Sequence, residues 1–74
     1  MVQQIQATEW MEGLSGLTDG TYENVVVVSC VADGDVTCHF KNGDEVRSFV
    51  AGEDRTLNKE SITISSGTFD INVR

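Results

Sequence analysis

Glycine punctuates this chain, and it constrains the fold more than any other feature. It recurs at the centre of Asp33-Gly34-Asp35, Asn42-Gly43-Asp44 and Ser66-Gly67-Thr68, each time between segments of alternating or β-branched apolar residues. Glycine supplies the backbone freedom of a tight turn, and alternation places one apolar face on a strand. The pattern predicts an all-β fold: a small antiparallel sandwich or partly open barrel of about five strands. With 74 residues there is room for one domain. A chain of this size buries only about 60% of its unfolded surface, so a disulfide, a metal or a partner subunit becomes a useful supplement.

The strands expected from the pattern are Tyr22 to Val31, Asp35 to Lys41, Glu45 to Val50, Glu60 to Ser65 and Thr68 to Arg74. Residues 51 to 59 read as a polar connector anchored by Leu57. The four consecutive valines, Val25 to Val28, predict burial on both faces, or burial on one and contact with a neighbour on the other. A two-residue Ser66-Gly67 turn would set Ile64 against Phe69 and Ile62 against Ile71, apolar facing apolar. For the middle hairpin the pattern prefers a three-residue Lys41-Asn42-Gly43 loop. That register sets Cys38 against Val46, and gathers Thr37, His39, Glu45 and Arg47 on a polar face.

Residues 1 to 19 differ from the 20–74 β domain. Val2, Ile5, Trp10, Leu14 and Leu17 follow a loose spacing of three to five, and Thr8 could cap a short helix through Glu9, Trp10, Met11 and Glu12. Gly13 and Gly16 oppose a longer helix. The segment is read as a short helix or an extended arm, with Trp10 either lidding the core or serving as a docking device.

The formal net charge of −7 comes from 12 acidic and 5 basic residues. It disfavours nucleic acid, whose phosphates need a basic face, and anionic membrane surfaces for the same reason. The longest apolar run, Val25 to Val28, is far short of the ~20 residues of a membrane span. The amino terminus lacks the basic flank and apolar centre of a signal peptide, so a secreted product is not expected.

No motif announces a reaction. Cys30 and Cys38 flank the first turn. A two-residue Asp33-Gly34 turn sends them to opposite faces, whereas a three-residue loop sets them opposite each other and permits a bridge. Without a secretory signal, reduced thiols are expected. His39, the only histidine, sits on a polar strand face near Glu45. It cannot form a dyad with Cys38, because adjacent strand residues point to opposite faces. The acidic turns match no calcium loop, and zinc spacing, phosphate loops and serine nucleophile motifs are missing. The expectation is a non-enzyme with no catalytic residues, cofactor or metal.

Two runs carry a resemblance. Leu17-Thr18-Asp19-Gly20-Thr21-Tyr22 leads into a valine-rich strand, and Ser61-Ile62-Thr63-Ile64-Ser65-Ser66-Gly67-Thr68-Phe69-Asp70-Ile71 closes the chain. Over residues 17 to 74 the sequence resembles short β-rich structural proteins of tailed bacteriophages. The resemblance implies a capsid cement, or decoration, protein made in the host cytoplasm and held on the virion surface. It implies binding across major capsid protein subunits, or to another virion protein such as a fibre or tail component. A closed homo-oligomer is expected, with a trimer preferred. The alternative from charge alone is a small acidic inhibitor mimicking nucleic acid against a host nuclease or CRISPR complex. Lys41, Arg47, Arg55 and Lys59 interrupt any acidic stripe and weigh against it. The interface residues expected are Trp10, Leu14, Leu17 and the outward members of Val25, Val26, Val27 and Val28, with the Thr37, His39, Glu45, Arg47 face second.

Overall fold

The computed structural model describes residues 12–74. These form six strands: β1 (Glu12–Leu17), β2 (Gly20–Ala32), β3 (Gly34–Phe40), β4 (Gly43–Phe49), β5 (Asp54–Ile64) and β6 (Thr68–Val73). All pairings are antiparallel, in one open sheet of order β1-β6-β2-β5-β3-β4. The all-β expectation holds, with one strand more than the pattern predicts.

The additional strand is β1. Glu12 to Leu17 is extended and pairs with β6, setting Leu14 opposite Ile71 and Leu17 opposite Phe69. Gly13 and Gly16, which oppose a helix, here sit in an edge strand, and Gly16 makes a bulge at φ 67°. The helix expected from Thr8, and Trp10 with it, lies outside the described residues.

Alternation is kept where the expectation put it. Val36 and Cys38 of β3, Ile62 and Ile64 of β5, and Phe69 and Ile71 of β6 all enter the core. Leu57 enters it too, from within β5 rather than from a connector. Val25 and Val28 are both fully buried although three residues apart. Register slips between Val25 and Val27 absorb the odd residue, and Val26 and Val27 are left half-buried.

That slip also bends the sheet. On one side of it Tyr22 pairs with Ile62. On the other, Val27 pairs with Thr56, so β5 spends more residues than β2 across the same stretch. Asn24 and Lys59 take the left-handed conformation at φ 59° and 60° where the strands slip. Bulges of this kind sharpen the local twist and bend. The sheet consequently curls onto itself. Phe49 of β4 packs edge-on against Phe69 of β6, with ring centroids 5.6 Å apart and planes at 83°. Four strand positions separate those strands, which a flat sheet would hold roughly 19 Å apart. The core is the space enclosed by this curl.

Three local expectations are corrected. First, β5 and β6 do not form a hairpin. Ile64 neighbours Gly20 and Val36, and Phe69 neighbours Cys30 and Leu17. Second, β2 and β3 do not pair either, so both geometries considered for Cys30 and Cys38 are superseded. Cys30 stands opposite Phe69 and Cys38 between Glu45 and Ile62, and both thiols are free and buried. The reason lies in the two connections, which cross in contact. A Cβ on Gly34 would overlap the Ser66 carbonyl oxygen, and one on Gly67 would lie 2.6 Å from the carbonyl oxygens of Ala32 and Asp33. These glycines permit a crossing of two chain segments, and only Gly67 also needs its positive φ of 84°.

Third, the β3–β4 hairpin is shifted by one residue. Phe40 pairs with Gly43 across a two-residue Lys41-Asn42 turn, so Cys38 faces Glu45 and Thr37 faces Val46. Only Phe49 of β4 reaches the core, so hydrophobic pattern has little hold on this edge strand.

Candidate interaction surface

Among the described residues no polar or charged side chain is fully buried, and no group of three His, Cys, Asp or Glu side chains could hold a metal ion. Three places stand out.

The first is an open cleft of about 590 Å³ on the bend, lined by Glu23, Asn24, His39, Lys41, Lys59 and Glu60 among others. Both positive-φ non-glycine residues are here. Their conformation is explained by the bulges that bend the sheet, and the two lysines stand with two glutamates. His39 is committed on both ring nitrogens: Nδ1 lies 2.9 Å from Asp44 Oδ1, and Nε2 lies 2.8 Å from the Thr63 hydroxyl. Its cross-strand partner is Asp44 rather than Glu45, a direct result of the shifted register.

The second is a charged rim on the core side of the curl. Arg55 extends over the Phe40 ring at 5.4 Å and donates to Glu45 Oε1 at 3.5 Å. Arg47 lies 3.7 Å from Glu45 Oε2 and 6.0 Å from the Phe49 ring. The polar face expected to unite Thr37, His39, Glu45 and Arg47 is thus divided. Thr37 and His39 share one face with Asp44, Val46 and Ser48; Glu45 and Arg47 are on the other. Cys38 lies behind this rim. Burial pushes its thiol pKa upward, against the pull of Arg55, and burial also raises that of Cys30, helped by Asp33 and Glu53. Both sulfurs are held as thiols at neutral pH, a poor state for nucleophilic work.

The third is the free edge of β4. The Phe40↔Gly43 pair closes a two-residue turn, so it exchanges both backbone hydrogen bonds. The ladder alternates from there. Glu45, Arg47 and Phe49 direct their N–H and C=O groups to β3, while Asp44, Val46 and Ser48 direct theirs outward, where no described strand stands. Val46 is 69% exposed and Val50, just beyond the strand, 55%.

The residues expected at an interface are dispersed. Leu14 and Leu17 are half-buried and pack against the core at the β1 end of the sheet. Val25 and Val28 are enclosed in the core and present no surface, whereas Val26 and Val27 are partly accessible. Trp10 lies outside the described residues. Pattern reading missed Val46, because it placed that side chain inward beside Cys38. The signal that could have found it is Glu45-Val46-Arg47, a valine between unlike charges on an edge. No family model matches the chain, and no curated protein or solved structure matches it.

Proposed function

We propose that this chain is a non-catalytic structural protein that works by docking to other protein surfaces. We further propose that its setting is the virion of a tailed phage, as a capsid cement protein. The observation that carries the docking reading is an open sheet whose end strands, β1 and β4, have no outer neighbour among the described residues. An unpaired strand presents a row of backbone donors and acceptors that another chain can complete. Two such edges let one small protein hold two neighbours at once, which is what bridging across shell subunits requires. The shell-facing contact is assigned to the β1 end, where Leu14 and Leu17 lie half-buried and which Trp10 precedes by two residues in sequence.

The virion setting rests on the resemblance of the two runs described above. In the fold these runs are neighbours: Gly20 pairs with Ile64, Thr21 with Thr63 through hydroxyls 2.9 Å apart, and Leu17 with Phe69. Their adjacency supports reading them as one structural unit. The test is to band assembled particles by density from a lysate that produces them together with the chain. Mass spectrometry should find the chain in the particle band in stoichiometric ratio to shell subunits. Particles that band without it overturn the virion reading.

A further inference from the structure

We propose that β4 pairs with β4 of a second copy, strand against antiparallel strand, about a two-fold axis through Val46. This pairing rests on the docking reading, gives one edge its occupant, and does not depend on the virion setting.

Backbone parity comes first. Asp44, Val46 and Ser48 alone direct their N–H and C=O groups outward, so an antiparallel mate must match these residues with the same set on its own edge. Three two-fold axes keep most of the strand paired: through Glu45, through Val46 and through Arg47.

Charge then selects among them. An axis through Glu45 sets that carboxylate against its own copy. An axis through Arg47 opposes two guanidinium groups. Like charges directly opposite destabilise a ladder. The axis through Val46 sets Glu45 opposite the partner's Arg47 and Arg47 opposite the partner's Glu45. It also places Asp44 opposite the partner's Ser48, and buries the two valines against each other. Val46 is the most exposed of the large apolar side chains among the described residues, and this register covers it.

The edge is also regular. The β3–β4 ladder runs through seven consecutive pairs with no slip, and β4 has neither proline nor lysine. Bulges, prolines and charges, lysine above all, are the usual guards of a free edge, and the charges that β4 does carry, Asp44, Glu45 and Arg47, meet no like charge in the register through Val46. β1 is guarded: its register slips between Leu14 and Leu17, and the Gly16 N–H is taken by Asp70 Oδ1 at 2.9 Å. A ring closed by edge pairing, such as a trimer, would need β4 to pair with that irregular edge, so between the two edge-paired arrangements the two-fold is favoured. Seven residues a side make a small interface, so a weak dimer with a Kd of about 0.1 mM is expected.

Sedimentation equilibrium from about 10 μM to about 1 mM brackets that affinity. The mass should rise from the 8.1 kDa of one chain toward twice that value. Val46→Pro removes an N–H that the chain's own ladder does not use, and it should leave a monomer throughout. Arg47→Glu should weaken pairing at least about tenfold, and adding Glu45→Arg in the same chain should restore it to within about threefold. Circular dichroism confirms that each variant is folded, and the charge pair keeps the test decisive if proline disturbs the strand. A wild-type monomer across the range overturns the proposal. So does a trimer, a dimer indifferent to Val46→Pro, or a folded double swap no stronger than the single variant. A monomer that still bands with particles would remove this inference and leave the function standing; a dimer missing from particles would do the reverse.

Discussion

Gly34 and Gly67 have no room for a side chain, because each stands against the backbone of the other's connection. Gly52 offers a control: its φ is 94°, but nothing lies within 4 Å of where its Cβ would be. Left-handed strain alone costs an alanine about 1–2 kcal/mol. Overlap with backbone adds displacement of a whole segment, so Gly34→Ala should cost about 3 kcal/mol or more against about 1 kcal/mol for Gly52→Ala. Urea unfolding of the two variants checks the gap. Equal costs would mean that the crossing can relax. The two thiols make a second residue-scale prediction. Burial raises the folded pKa of Cys30 and Cys38 above the ordinary value of 9.0. Below that value both states are protonated, and the contribution is fully present. Above it the unfolded chain loses protons first, so stability falls as pH rises from about 9. The decline should be shallower in a Cys30→Ala/Cys38→Ala variant, read from urea midpoints at pH 7 to 10.

The bend is made by two strands acting together. β2 and β5 slip against each other, and Asn24 and Lys59 take up left-handed conformations there. Asparagine tolerates that region, but lysine has no local hydrogen bond to offset it. Lys59→Gly should therefore stabilise the fold by up to about 1 kcal/mol, less the entropy glycine adds to the unfolded chain, and Lys59→Val should destabilise it by more than that. Thermal melts of both variants decide it; a destabilised glycine variant would show that the bend is held by the lysine side chain. At this scale the sequence was legible in part. The inward residues of β3, β5 and β6 follow from alternation, because each of these strands buries one face. The pairing did not follow. Turn glycines suggest that neighbours in sequence are neighbours in the sheet, yet only β3–β4 obeys that rule. Long-range pairing is written in no local signal: it depends on the length of β2 and on the crossing at Gly34 and Gly67. The β4 edge was missed for a related reason. Pattern fixes register only where a face is buried, and β4 buries one residue, Phe49. Val46 was thus assigned inward by a rule that had no force there.

Across the whole molecule the formal charge is −7, and the arginine–carboxylate pairs that oppose it among the described residues each keep an exposed carboxylate. Glu45 shares two cations, Arg47 at 3.7 Å and Arg55 at 3.5 Å, and His39 joins Asp44 at 2.9 Å. Pairs open to solvent on at least one side contribute about 0–1 kcal/mol each. Repulsion among the remaining carboxylates acts on the compact state more than on the expanded chain, because folding brings the charges closer. Added salt screens both effects. The Debye length is about 30 Å at 0.01 M and about 3 Å at 1 M, so distant repulsions vanish well before contacts at 3–4 Å do. The sign of the salt effect is therefore fixed by the net charge: sodium chloride raised from about 0.01 M to about 0.5 M should increase stability. The measurement is a urea midpoint at each salt concentration, with the chain near 1 μM so that self-association adds no mass-action term. Chloride is chosen because sulfate strengthens apolar burial by itself. A midpoint that falls with salt would mean that the Glu45–Arg47–Arg55 cluster outweighs the net charge. The rim of the curl would then be a principal source of stability, and substitutions at Glu45 would have to be read as folding variants before they could be read as interface variants.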